Sequence, residues 1–111
     1  MLYTIKVYRT LAGKVPFDDW MDKLSDKKAL VAIEVRLDRL TLGNFGQCKS
    51  VGDGVHELKI DLGPGYRVYL SKVGGTIVLL LCAGDKGSQQ KDIAKAKKYL
   101  EDYKIREGKN D

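Results

Sequence analysis

Three apolar-rich runs, Val55 to Leu62, Tyr66 to Lys72 and Thr76 to Cys82, are separated only by Gly63-Pro64-Gly65 and Val73-Gly74-Gly75. Connections this short join antiparallel neighbours, because a parallel return needs a dozen or more residues. The stretch predicts a three-stranded antiparallel meander on which the rest of the chain must pack. The third run, Ile77-Val78-Leu79-Leu80-Leu81, has no polar alternation and predicts a central strand covered on both faces. In the first two runs a period of two puts Leu58, Ile60, Leu62, Val68 and Leu70 on one side. A tight turn then pairs Asp61 with Arg67, Lys59 with Tyr69 and Glu57 with Ser71 on the other. A loop two residues longer changes partners without changing sides. By pattern alone, this polar side reads as a solvated sheet surface with a cross-strand ion pair.

Around the meander, Leu2 to Arg9 alternates as a first strand and Ala12-Gly13-Lys14 follows as a turn. Pro16 suits the first position of a short helix ending near Leu24, with Phe17, Trp20, Met21 and Leu24 on one face. Ser25-Asp26 can cap a second helix whose Leu30, Ile33, Leu37 and Leu40 form one stripe, Arg36 lying mostly off it. Gly43 to Gly54, with four glycines, breaks both periodicities and reads as a loop from which Lys49 can reach a ligand. Ser88 is placed to cap a last helix with Ile93, Ala96, Leu100 and Tyr103 inward and Lys91, Lys95, Lys97 and Lys98 outward. The tail from Arg106 to Asp111 is expected to fray. The order of strand, two-helix hairpin, three-stranded meander and C-terminal helix makes an α+β domain, helices packed on a small sheet.

The 111 residues, 43% of them apolar, fit one domain spanning 1–111. Twenty Lys and Arg against fifteen Asp and Glu leave a formal charge of +5, a weak pointer to a polyanionic partner. Cys48 and Cys82 stand far apart and read as reduced thiols of a cytoplasmic protein rather than a disulfide or a zinc site. The start lacks a signal peptide's apolar segment, and no stretch nears the roughly 20 apolar residues that cross a bilayer. The expected setting is cytoplasmic, with no membrane partner.

The chemistry-bearing residues are few. His56 is the single histidine, and alternation puts it beside Leu58 and Ile60, as a partly buried structural residue. With no cysteine cluster and no paired acidic motif, neither a metal nor another cofactor is expected. Gly84-Asp85-Lys86-Gly87-Ser88 lacks the spacing of a nucleotide-binding P-loop. Its position between strand and helix suits an anion, although Lys86 equally fits a surface turn. The reagents left are Lys, Arg, Glu and Tyr. They suit RNA cleavage by the substrate's own 2′-hydroxyl, in which the protein orients a phosphate, neutralises its growing charge and moves protons. An arginine at position 67 is the natural clamp.

Gly54-Val55-His56-Glu57-Leu58-Lys59-Ile60, Gly63-Pro64-Gly65-Tyr66-Arg67-Val68-Tyr69, and Leu79 to Lys86 followed by Ser88-Gln89 and Lys91-Asp92-Ile93 resemble the RelE/HigB-type toxins of bacterial toxin-antitoxin modules. Within that group the resemblance is to the phage-derived, addiction-module killer branch, and it covers nearly the whole chain. It implies a RelE-like fold and a ribonuclease that cuts messenger RNA in the ribosomal A site. It also implies a cognate antitoxin, often a helix-turn-helix protein. By resemblance, Arg67 matches the strand arginine at the scissile phosphate, and Lys59 and Lys86 match basic positions. Glu57 is a proton carrier or orients Lys59, while Tyr69, Lys49, Gln89 and Ser88 are the expected RNA contacts. Relatives usually carry arginine where Lys59 stands, and a lysine makes no bidentate phosphate contact. Tyr99 and Tyr103 can supply a C-terminal aromatic, though helix packing suits both. Two other readings remain at this level: a non-catalytic module that holds RNA or an acidic partner by occupancy, and a purely structural domain.

Overall fold

The computed structural model describes residues 2–108. The positions of Met1 and of the end of the expected frayed tail, residues 109–111, lie outside them. Strand β1 (Thr4–Val7) is followed by helices α1 (Pro16–Lys23) and α2 (Lys27–Thr41). Strands β2 (Cys48–Gly52), β3 (Val55–Ile60), β4 (Tyr66–Val73) and β5 (Ile77–Asp85) come next, then a single 3-10 turn (Lys86–Ser88) and helix α3 (Gln89–Glu107). The five strands form one mixed sheet in the order β1-β5-β4-β3-β2. β5 lies antiparallel to β4 and parallel to β1. The α+β expectation holds, and the apolar run of β5 is central as its composition demands.

The helices divide between the sheet's faces. α1 and α2 cover one with Phe17, Ala29, Ile33 and Leu40 against Leu58, Val68, Leu70, Val78 and Leu80. α3 covers part of the other, with Ala96, Leu100 and Tyr103 against Val55, Tyr69, Leu79 and Leu81. Each fully buried leucine contributes about 2 kcal/mol of apolar transfer, so two cores clamp one sheet. Asp26 caps α2, its carboxylate accepting from Ala29 N at 3.0 Å, which satisfies an otherwise orphaned helix donor.

Three local expectations are corrected. Gly43 to Gly54 is not wholly a loop, because Cys48–Gly52 is the edge strand β2. Its partner β3 is reached through Asp53-Gly54, both at positive φ (54° and 82°), the backbone of a type I′ hairpin. The β3–β4 register is shifted by two from the tight-turn expectation: Glu57 faces Tyr69, Lys59 faces Arg67 and Ile60 faces Tyr66. The connection takes five residues, with Gly63 and Gly65 at positive φ, and the sides are kept. Ser88 does not cap α3 with its side chain; its hydroxyl turns to Asp92 Oδ2 at 2.5 Å, while Asp85 Oδ1 accepts from Gly87 N at 2.9 Å.

Candidate functional site: a basic cleft beside helix α3

A bulge between Tyr69 and Leu70 in the β4–β5 ladder shifts the phase of β5, turning Cys82 and Gly84 toward α3. A Cβ at Gly84 would collide with the Asp92 carboxylate, so glycine lets α3 start close against β5. α3 packs mainly on β5 and β4. On the same face, toward the β2 edge, lies a cleft of about 340 Å³ lined by Gly46, Gln47, Cys48, Lys49, Glu57, Lys59 and Arg67. Two cross-strand rows build it: Lys49 beside Glu57 beside Tyr69, and Lys59 beside Arg67. Three cationic side chains and one carboxylate give the cleft a net positive lining.

The polar face of the meander is therefore not the solvated surface that its alternation suggests. Glu57 is only 2% exposed and the Arg67 side chain 8%. Glu57 Oε2 accepts from the Tyr69 hydroxyl at 3.1 Å and from Gln89 Nε2, at the start of α3, at 2.8 Å. Arg67 Nε lies 3.7 Å from the same oxygen, and Lys49 Nζ lies 3.9 Å from Oε1. Arg67 Nη1 donates to Gly65 O at 2.9 Å. Its Nε is buried without any hydrogen-bond partner, a state it shares among the described residues only with His56 Nδ1. An unengaged buried guanidinium N–H costs about 1–3 kcal/mol or more.

Burial, and the Glu57 carboxylate beside it, push the Tyr69 hydroxyl far above its ordinary range, so it stays a proton donor. Burial also raises the Cys48 thiol against the pull of Lys72 and Arg36, leaving a protonated wall rather than a nucleophile. Cys82 is pushed up to about 12, first by burial and then by Asp92.

Of the residues expected to act, Arg67, Lys59, Glu57 and Lys49 line the cleft, and Tyr69 and Gln89 hold Glu57 from behind. Tyr69 is fully buried, which leaves its ring no open face for a base. Lys86 is exposed on the 3-10 turn and does not line the cleft. The anion mouth expected around it already holds the Asp85 carboxylate on Gly87 N. Ser88 belongs to a separate depression between α1 and α3, with Trp20, Asp92, Lys95 and Tyr99. Tyr103 is buried in the α3 core and Tyr99 stacks on Tyr8, so both pack the helix.

One residue of the site escaped the sequence reading. Arg36, placed off the stripe of α2, donates from Nη1 to Lys59 O at 2.7 Å and from Nη2 to Phe45 O at 3.3 Å and Gln47 O at 3.4 Å. It ties the lip of the cleft to the strand that carries Lys59. The carbonyl-rich turn that it fills, with Gly46 at φ +58° and a Cβ there tight against Nη2, has no periodic signature.

Among the described residues no three His, Cys, Asp or Glu side chains gather as a metal site. Among the described residues no helix is long and apolar enough to cross a membrane. No family model matches the chain, and no solved structure matches it. A Haemophilus influenzae protein, described only as uncharacterized, is 51% identical over 94 residues, 85% of this chain and 91% of that protein. At that identity over that span the cleft is a feature to compare between relatives: the chain belongs to the same family as this Haemophilus protein.

Proposed function

We propose that the protein is a cytoplasmic endoribonuclease of the RelE/HigB toxin kind, RelE-like in fold, which cleaves messenger RNA through the substrate's own 2′-hydroxyl. The observation that carries this reading is Arg67, buried in a net-positive cleft with its Nε unengaged beside the Glu57 carboxylate. A phosphodiester seated there meets the Arg67 fork, with Lys59 and Lys49 on either side of Glu57. The 2′-hydroxyl gives its proton to Glu57 and its oxygen bonds phosphorus. The P–O5′ bond breaks, its electron pair goes to O5′, and water protonates the leaving oxygen. Growing charge on the phosphoryl oxygens is met by Arg67 and the two lysines, with no call on a metal. DNA, without that hydroxyl, is spared.

The proposed setting is the translating ribosome, with a cognate antitoxin, a helix-turn-helix protein, as the natural inhibitor. The test is purified protein added to ribosomes programmed with a defined messenger in EDTA, followed by mapping of the ends. Cleavage leaving a 2′,3′-cyclic phosphate is expected. Intact messenger, or ends bearing a 5′-phosphate, contradicts the reading.

A second reading is favoured by one observation: Glu57 is 2% exposed and faces Arg67 and Lys49. A carboxylate so enclosed also suits a non-catalytic module that holds RNA and blocks translation by occupancy. Such a protein arrests translation with the messenger left whole.

A further inference from the structure

The two oxygens of the Glu57 carboxylate are treated unequally, and the difference has no role in a simple charged surface. Oε2 receives the Tyr69 hydroxyl at 3.1 Å, Gln89 Nε2 at 2.8 Å and the Arg67 side at 3.7 Å. Oε1 has only the exposed Lys49 ammonium, at 3.9 Å, beyond hydrogen-bond range. The donors also come from different elements. Tyr69 is on β4 in direct register with Glu57, and Gln89 opens α3, thirty-two positions along the chain. A carboxylate held by one oxygen from two directions cannot rotate without breaking both bonds.

We propose that Tyr69 and Gln89 are positioning residues, pinning Glu57 Oε2 so that Oε1 alone faces the cleft as the acceptor of the 2′-hydroxyl proton. This rests on the ribonuclease reading and deepens it. It makes the first residue of α3 part of the site's machinery, although its side chain does not line the cleft. It also gives Lys49 a defined place. Its side chain, 71% exposed, sets the ammonium beside the oxygen that must be uncovered, and in the proposed reaction the ammonium passes to the substrate phosphate. A positioning role acts on the transition state, where hydroxyl and acceptor must align, more than on ground-state binding.

The test is a double-mutant cycle read as kcat and KM on an RNA oligonucleotide. Gln89→Met keeps the side chain's length and removes the donor. Its kcat is expected to fall about tenfold, with KM within about twofold. In the Glu57→Gln background the same change is expected to alter the residual rate by less than about twofold, because its effect runs through Glu57. Tyr69→Phe is expected to behave alike, but Tyr69 is fully buried, so Gln89→Met, at a half-buried helix start, carries the test if the tyrosine variant misfolds. A full tenfold loss in the Glu57→Gln background, or a loss confined to KM, overturns the positioning role and leaves the ribonuclease reading standing. A wild-type protein that binds RNA without cutting it overturns both.

Discussion

The molecule holds two triads of the same composition, a tyrosine, a carboxylate and an arginine, at different sites, and they differ in how the arginine is engaged and how deeply the ion pair is buried. In the triad that joins α3 to the segment after β1, Asp102 Oδ2 accepts from Tyr8 at 2.6 Å and from Arg106 Nε at 2.9 Å, with Arg106 Nη2 at 2.8 Å. Nη2 also donates to Arg9 O, so that arginine is engaged on both sides. In the cleft, Tyr69 and Glu57 are bonded, but Arg67 stands back at 3.7 Å with its Nε idle. The Asp102–Arg106 pair of the closed triad is part-exposed and the Glu57–Arg67 pair of the open one is buried, the reverse of what stability alone selects, since burial raises the cost of an unmet donor. A structural lock closes on itself. The cleft triad leaves Arg67 Nε without a partner.

The sharpest way to break this comparison is Arg67→Lys, which keeps the charge and removes the fork. Cleavage of the RNA oligonucleotide is expected to drop about 100-fold or more with the melting temperature nearly unchanged; a rate within a factor of three places the chemistry elsewhere. Glu57→Gln separates the two readings of the cleft, because it removes the one carboxylate of the lining, leaving Lys49 and Arg67 unopposed and Lys59 paired only with Asp61 outside it. Filter binding is expected to show tighter RNA capture while cleavage falls about 100-fold. If the messenger is never cut and translation is blocked more strongly, the occupancy reading prevails.

Smaller effects sharpen the same contrast. Arg36→Met frees the carbonyls of Lys59, Phe45 and Gln47, and urea unfolding is expected to show a loss of about 2 kcal/mol with a raised KM. An unchanged KM would detach the lip from the site. At the closed triad, the Arg106 hydrogen bond, and after it that of Tyr8, hold the Asp102 carboxyl below its ordinary value. A depressed carboxyl adds stability above its unfolded value, near about pH 4, and loses it as pH falls through the folded one. The melting-temperature gap between wild type and Asp102→Asn is therefore expected at pH 6 and closes in strong acid, with cleavage at pH 7 untouched. A gap that persists unchanged into acid contradicts the assignment.

The sequence reading reached the helices and the meander because their signals are local: Pro16 at a helix start, the stripe of α2, the unbroken apolar run of β5. It missed β2 because glycines at 46, 52 and 54 swamp the two apolar residues, Cys48 and Val51, that the strand packs on the cores, one on each face of the sheet. The Asp53-Gly54 pair was the signal available there, since both residues take the positive φ that a type I′ hairpin requires. Glu57, Lys59 and Arg67 could be placed on one face because a period of two survives an error in register. The burial of Glu57 and Arg67 could not, because it depends on where α3 crosses the sheet. The β5 bulge and the missing Cβ of Gly84 set that crossing, and no periodicity encodes it. The same crossing brings in Gln89 and leaves Lys86 outside, though the two are three residues apart.

The most direct test of an open arginine is to watch its Nε–H. With arginine side chains labelled with nitrogen-15, a 2′-deoxy-substituted, uncleavable RNA dinucleotide is titrated into the protein, and the Arg67 and Arg106 Nε–H resonances are followed. The account predicts that Arg67 moves downfield and saturates while Arg106 stays in place. Arg67 unmoved at saturating ligand, or both arginines shifting together, contradicts it.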